Sequence, residues 1–171
     1  MKDEMKGIQT HRYETDSKAL ARLAEFDPAL QAIRWIDPDI TSFDIFIERV
    51  IDIIESRIPG FTWVGYYWVK PHGLTLIASI GPKEGEHKVV AMRRGAIGQA
   101  AAAGSTITGH HSGLFVSEIA APVLKFGVVI GVIAVRSESI RTYEPEHIRF
   151  IGNVGELIAS RWGGRSPETN R

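Results

Sequence analysis

Glu118 stands in the run Ser117-Glu-Ile-Ala-Ala-Pro-Val123, otherwise almost wholly apolar, where a carboxylate without a counterpart is costly. Arg136 lies in the equally apolar run Gly131 to Ser137, and a hairpin between the two runs brings its guanidinium across to Glu118. Two accounts of the pair stand side by side: a structural ion pair, or the polar end of a ligand pocket. Trp63 and Tyr67 share one parity of the run Trp63-Val-Gly-Tyr-Tyr67 and offer either an aromatic pocket wall or core packing. His110-His111 has imidazoles of metal-ligand type, but adjacent histidines point apart unless the loop bends sharply, and His87 and Glu118 are the only further ligands in prospect. No metal is therefore expected. Gly95-Ala-Ile-Gly98 places glycines before a helix, either to lend N–H groups to an anion or to allow a turn and tight packing, and it lacks the spacing of a nucleotide-phosphate loop. The neighbouring Arg93-Arg94 is a solvated pair or steers an anion. The 171 residues include no cysteine, which removes disulfides, thiol nucleophiles, cysteine-ligated zinc and iron–sulfur clusters together. No Ser/His/carboxylate or paired-carboxylate arrangement stands out either, so no catalytic residue and no cofactor are expected.

Composition fits one ordinary folded domain: 44 % of residues are hydrophobic and 23 % charged. Twenty basic residues balance twenty acidic ones, so no net field recruits a nucleic acid or an anionic membrane. The balance is uneven along the chain, with 8 basic and 12 acidic residues in positions 1–60, and Asp52 is the last aspartate. Carboxylate chemistry beyond Phe61 must use glutamate. Met1 to Tyr13 holds no apolar run of signal-peptide length, and no stretch reaches the length of a membrane span, so a cytoplasmic, untethered protein is expected.

The elements that must position these residues follow from hydrophobic period. Ser17 caps a predicted helical piece from Lys18 to Glu25, and Asp27-Pro28 has the cap-then-proline form that opens a second, through Trp35. Phe43 to Arg57 repeats Phe43, Phe46, Ile47, Val50, Ile53, Ile54 and Ile58 at three-to-four spacing, with Pro59-Gly60 as its stop. From Phe61 the pattern becomes that of strands: 61–69, 74–80, 87–92, 105–108, 116–124 and 128–136, with a short helix at 96–103 before Gly104 and an irregular loop at 109–113. Glu144-Pro145 opens a last helix with an apolar stripe of Ile148, Ile151, Val154, Leu157, Ile158 and Trp162. The prediction is α+β: a helical extension over 1–40, a domain over 41–163 and a mobile tail over 164–171.

Four segments resemble the GAF domain, a small sensory fold: Trp63-Val-Gly-Tyr-Tyr67, Gly95-Ala-Ile-Gly98-Gln-Ala100, Ser117-Glu-Ile-Ala-Ala-Pro-Val123 and Gly131-Val-Ile-Ala-Val-Arg-Ser137, followed by Tyr143-Glu-Pro-Glu146. Within that superfamily the likeness is closest to the free methionine-R-sulfoxide reductases, which share the Trp-x-Gly-aromatic-Tyr strand and the Ser-Glu-Ile start. The resemblance implies a six-stranded antiparallel sheet with the terminal helices on one face and a ligand pocket on the other. Trp63 and Tyr67 would face that pocket, with Val64, Tyr66 and Trp68 toward the helices. The reductase reaction it implies needs a thiolate. Here the Gly-x-Cys-Gly position is Ile97, and the loop that holds the family's nucleophile is shortened to about 109–116. Of the family's matching carboxylates only Glu118 survives, since its two aspartates fall on Ala134 and Arg136. Arg136 inverts the local charge and favours an anionic or zwitterionic ligand. The Asn-Lys-Phe-Asp-Glu signature of cyclic-nucleotide-binding relatives has no counterpart.

These observations predict a non-catalytic sensory or regulatory module that binds a small polar metabolite through Trp63, Tyr67, Ile97, Glu118 and Arg136. A homodimer is expected through the α-helical edges, where Gly152 and Gly155 flank an apolar stripe wider than one sheet face needs. The alternative cover for that stripe is the extension over 1–40. Two other functional classes stay open: a structural interaction module with a collapsed pocket, and a cysteine-independent enzyme.

Overall fold

Residues 24–111 and 113–162 are described by the structure, a computed structural model. The predicted piece from Lys18, except its last two residues, and the tail from residue 164 lie outside them. Helix α1 (residues 24–34) runs unbroken through Asp27-Pro28, where the cap-then-proline pattern predicts a boundary. Pro28 removes only the bond to the carbonyl four residues earlier, at the edge of the described helix, and leaves the later turns intact.

Helix α2 (Phe43–Arg57) starts where Ser42 caps it, the Oγ accepting from the Ile45 N–H, and Asp44 in the first turn and Arg57 in the last suit the helix dipole. Its buried stripe is Phe43, Phe46, Ile47, Val50, Ile51 and Ile54.

Six strands follow: β1 (Trp63–Lys70), β2 (Gly73–Ile80), β3 (Val89–Val90), β4 (Ile107–His110), β5 (Ser117–Lys125) and β6 (Val128–Ser137). They form one sheet in the order β3-β2-β1-β6-β5-β4, every pair antiparallel, as the strand count and the hairpin signature at Phe126-Gly127 predict. The edges differ in detail. Strand β3 is shorter than the predicted 87–92 because it pairs with β2 only through Leu74↔Val90 and Thr75↔Val89. Strand β4 lies two residues later than predicted, in register with β5 from Ile107↔Ala120 to His110↔Ser117, which takes His110 out of the loop.

The sheet divides the interior by strand parity. Val64, Tyr66 and Trp68 pack with Ile119, Val123, Ile133 and Val135 beneath α1, α2 and helix α4 (Pro145–Trp162). The opposite parity, Trp63, Tyr67, Ala120, Val132 and Ala134, packs with helix α3 (Gly95–Ala103) and Phe115. The long helices thus share one face, and α3 half-covers the other. Alanines and glycines let α3 lie close to the strands, and Gly104, at φ 65°, ends it in the left-handed conformation that glycine adopts without strain.

No residue of the α4 stripe is exposed, although Ile148 and Leu157 are only half-buried. Ile151 and Ile158 are fully buried and Trp162 nearly so. Phe26 of α1 stacks on Phe150 with ring centroids 4.8 Å apart, and Arg161 donates to the carbonyls of Ile36 and Asp37 just beyond α1. The argument for a surplus apolar face on α4 therefore yields to its alternative. Among the described residues no helix is long and apolar enough to cross a membrane.

Candidate functional site

The β5–β6 register sets Glu118 directly opposite Arg136, and the charges meet: Arg136 Nε donates to Glu118 Oε1 at 2.9 Å. Both side chains are buried, Glu118 at 2 % exposure and Arg136 at 5 %. His111, just past β4, puts Nε2 3.0 Å from the other carboxylate oxygen, Oε2. Burial alone pushes the Glu118 carboxyl up, but the hydrogen bond from His111 and the charge and hydrogen bond of Arg136 outweigh it and hold the group below its ordinary value. An ionised carboxylate only accepts, so His111 Nε2 carries the proton in this contact.

Arg136 is held from three sides. Its guanidinium carbon lies 4.4 Å above the Trp63 ring and 5.7 Å from that of Phe115, and Nη1 donates to the Gly85 carbonyl at 3.2 Å. Cation–π contact of this kind strengthens where water is excluded. Gly65 permits the arrangement, because a Cβ there would collide with the Trp63 indole.

Trp63 and Tyr67 both face the α3 side and are fully buried, with their polar tips engaged. Trp63 Nε1 donates to Glu86 Oε2 at 2.9 Å, and the same oxygen accepts from Ser79 Oγ at 2.6 Å and Lys83 Nζ at 3.3 Å. Tyr67 donates to the His87 carbonyl at 2.9 Å, and burial pushes its phenol up to about 12. These two aromatics pin the segment 85–87 over the sheet.

Between that segment, the start of α3, the start of β5 and the end of β6 lies a cavity of about 570 Å³. Ile97, Glu118 and Arg136 line it; Trp63 and Tyr67 do not, being one layer deeper. His72, His87, Arg94 and His111 complete its polar lining, with Val89, Val90, Ala91 and Ala96 as apolar wall. Of the histidine pair only His111 reaches the cavity. Among the described residues no three His, Asp or Glu side chains are grouped to hold a metal ion.

Sequence pattern alone misses Glu86 and His72. Glu86 is found only by asking where a buried indole N–H finds its acceptor, and that partner is 23 positions away. His72 sits in the β1–β2 turn, which nothing local assigns to a pocket.

The antiparallel sheet with α2 and α4 on one face and a short helix over the other is the GAF fold. The chain is similar to the free methionine-R-sulfoxide reductase from Neisseria meningitidis solved in complex with its substrate: 26 % identity over 82 % of this chain and 89 % of that one, TM-score 0.74. It is also similar to the substrate complex of the Staphylococcus aureus enzyme, at 16 % identity, 80 % and 94 % coverage and TM-score 0.72. The GAF domain of an Acinetobacter phosphoenolpyruvate-protein phosphotransferase follows at 15 % identity, 82 % and 92 % coverage and TM-score 0.66. The last two likenesses carry the fold alone. No family model and no curated protein matches the chain.

Proposed function

We propose that this chain is a non-catalytic sensory or regulatory module that binds a small polar metabolite in the cavity beside Glu118 and Arg136. The observation that carries it is an open volume of about 570 Å³ walled by a buried, mutually satisfied Glu118–Arg136–His111 group. A module whose pocket had collapsed would fill that space with its own side chains, so the open cavity favours binding over the structural alternative. The similar structure at 26 % identity is a reductase solved with its substrate, which supports a small-molecule occupant here. Turnover by the thiol route is closed to a chain without cysteine. The enzyme alternative calls for a pocket with Glu118, His87 and His110 or His111 convergent, and Glu118, His87 and His111 do line this one cavity, His111 bonded to Glu118. Turnover of a bound compound by the pure protein would decide for that alternative.

Ile97, Glu118 and Arg136 meet the ligand directly, while Trp63 and Tyr67 hold the wall from beneath. The ligand-binding unit is residues 41–163, with 1–40 as an N-terminal extension and 164–171 as a tail, in a cytoplasmic setting. Occupancy passes through α2 and α4 to a partner, either another protein or a second copy of the chain. The homodimer expected from the α4 stripe needs another surface, since no residue of that stripe is left exposed.

Thermal-shift screening of amino acids, organic acids and nucleotides tests the proposal. A stabilising compound is expected, and Glu118→Ala is expected to abolish its shift. If no compound raises the melting temperature, the structural alternative stands in its place.

A further inference from the structure

We infer that the cavity selects a small organic anion, carboxylate or phosphate in chemistry, and that Arg94 is the residue that receives it. The inference rests on the cavity being a binding site and names the class of its occupant. The lining carries five groups able to bear positive charge, each from a different part of the fold: His72 in the β1–β2 turn, His87 before β3, Arg94 at the start of α3, His111 after β4 and Arg136 on β6. Glu118 is the one acid among them, and both of its oxygens are already engaged, Oε1 by Arg136 and Oε2 by His111. Glu86, close by in sequence, is not part of the lining and accepts from Trp63, Ser79 and Lys83. An incoming ammonium group would have to break the buried Glu118 pair to find a counter-charge, which leaves Arg136 uncompensated.

An anion meets the opposite situation. The Arg94 guanidinium is exposed at the cavity rim and has no ion pair or side-chain hydrogen bond among the described residues. It is also the N-cap of α3, gives no side-chain cap, and is followed by a first turn without an acidic residue. The N–H groups at the head of a helix have no intrahelical partner, and Gly95, Ala96 and Ile97 of that turn line the same cavity. A planar guanidinium lining the same cavity as these N–H groups suits a carboxylate or phosphate oxygen pair. Val89, Val90 and Ala91 face the remaining volume and accommodate an alkyl body.

Isothermal titration and thermal shift on the full chain test this with probes that differ in charge. Succinate and glutarate are the dicarboxylate arm, glycerol 3-phosphate the phosphate arm, 4-aminobutanoate the zwitterion and butane-1,4-diamine the dication. At least one anionic arm is expected to bind at least about tenfold more tightly than the zwitterion, with no binding of the diamine, and the arm that binds identifies the anion's chemistry. Arg94→Gln is expected to weaken that binding tenfold or more with its own melting temperature unchanged, Arg94→Lys to recover part of it, and Arg93→Gln, outside the lining, to leave it intact. Equal or tighter binding of the zwitterion or the diamine overturns the anion inference and leaves the binding site standing. An unaffected Arg94→Gln, or an Arg93→Gln just as damaging, overturns the role of Arg94. If none of these probes binds and no amino acid or nucleotide does either, the inference and the proposed binding function fall together.

Discussion

Glu118 keeps its charge at 2 % exposure because one donor meets each oxygen, Arg136 on one side and His111 on the other. Removing one partner of a buried pair leaves the other charge uncompensated, so Glu118→Gln is expected to lower stability by about 3–5 kcal/mol near neutral pH in urea unfolding. The pH dependence has a definite sign. A carboxyl held below its unfolded value stabilises the fold above that value, and the contribution is lost as pH falls through the folded value, which here lies under the ordinary 4.5. The gap between wild type and Glu118→Gln should therefore narrow only in that acid range; a gap that stays constant from about pH 7 to about pH 3 would show that ionisation of Glu118 does not support the fold. Trp63→Phe keeps the ring under Arg136 but removes the donor to Glu86, and an expected loss of about 1–2 kcal/mol in the same assay measures that bond. The ion pair was legible in the sequence because a charge inside an apolar strand demands a partner and the adjacent hairpin strand supplied one. The depth of Trp63 and Tyr67 was not, because strand parity gives the side of the sheet and says nothing about which layer a loop will add above it.

At the level of elements, α2, α4 and the two long hairpins follow from hydrophobic period, caps and turn residues, since their energetics are largely local patterning against one sheet. The edges were harder to read: β3 and β4 are short, and their limits come from the partner strand's register. Helix α3 shows the same dependence on its surroundings. Gly98 in its interior invites replacement by alanine, which would gain about 1 kcal/mol in helix propensity. A Cβ at that position would instead overlap the Ala91 carbonyl oxygen and stand 3.0 Å from the Arg93 nitrogen. That nitrogen already bonds the Gly98 carbonyl at 2.8 Å, so the loop and the helix are fitted to each other there. Gly98→Ala is expected to lower the melting temperature and, by moving Ala91 and Arg94 in the cavity wall, to weaken any ligand found by thermal shift. A melting temperature raised by the substitution would mean that propensity outweighs the contact.

On the scale of the whole molecule, the outstanding question is what covers the helical face. The period of α4 gives the width of its apolar stripe and leaves its occupant open, because a second copy and a preceding helix bury the same residues. Phe26 on Phe150, and Arg161 on the carbonyls after α1, close the flank of α4 beside the stripe, and within the stripe Ile151 and Ile158 have no surface left to offer while Ile148 and Leu157 are half-buried. The full chain is accordingly expected to scatter light as a single copy across a broad concentration range. A chain beginning at residue 41 would lose Phe26, Ala29, Leu30, Ile33 and Ile36 from the core and bare Phe150 and the apolar residues clustered with them. Uncovering several large apolar side chains, each worth roughly 1.5–3 kcal/mol when buried, leaves that fragment with a choice between unfolding and pairing through α4. Its melting temperature should fall well below that of the full chain, and its scattering mass should rise with concentration. A fragment that stays monomeric with an unchanged melting temperature would show that α1 is dispensable, and a full chain that scatters as two copies would restore the homodimer on a surface other than this one.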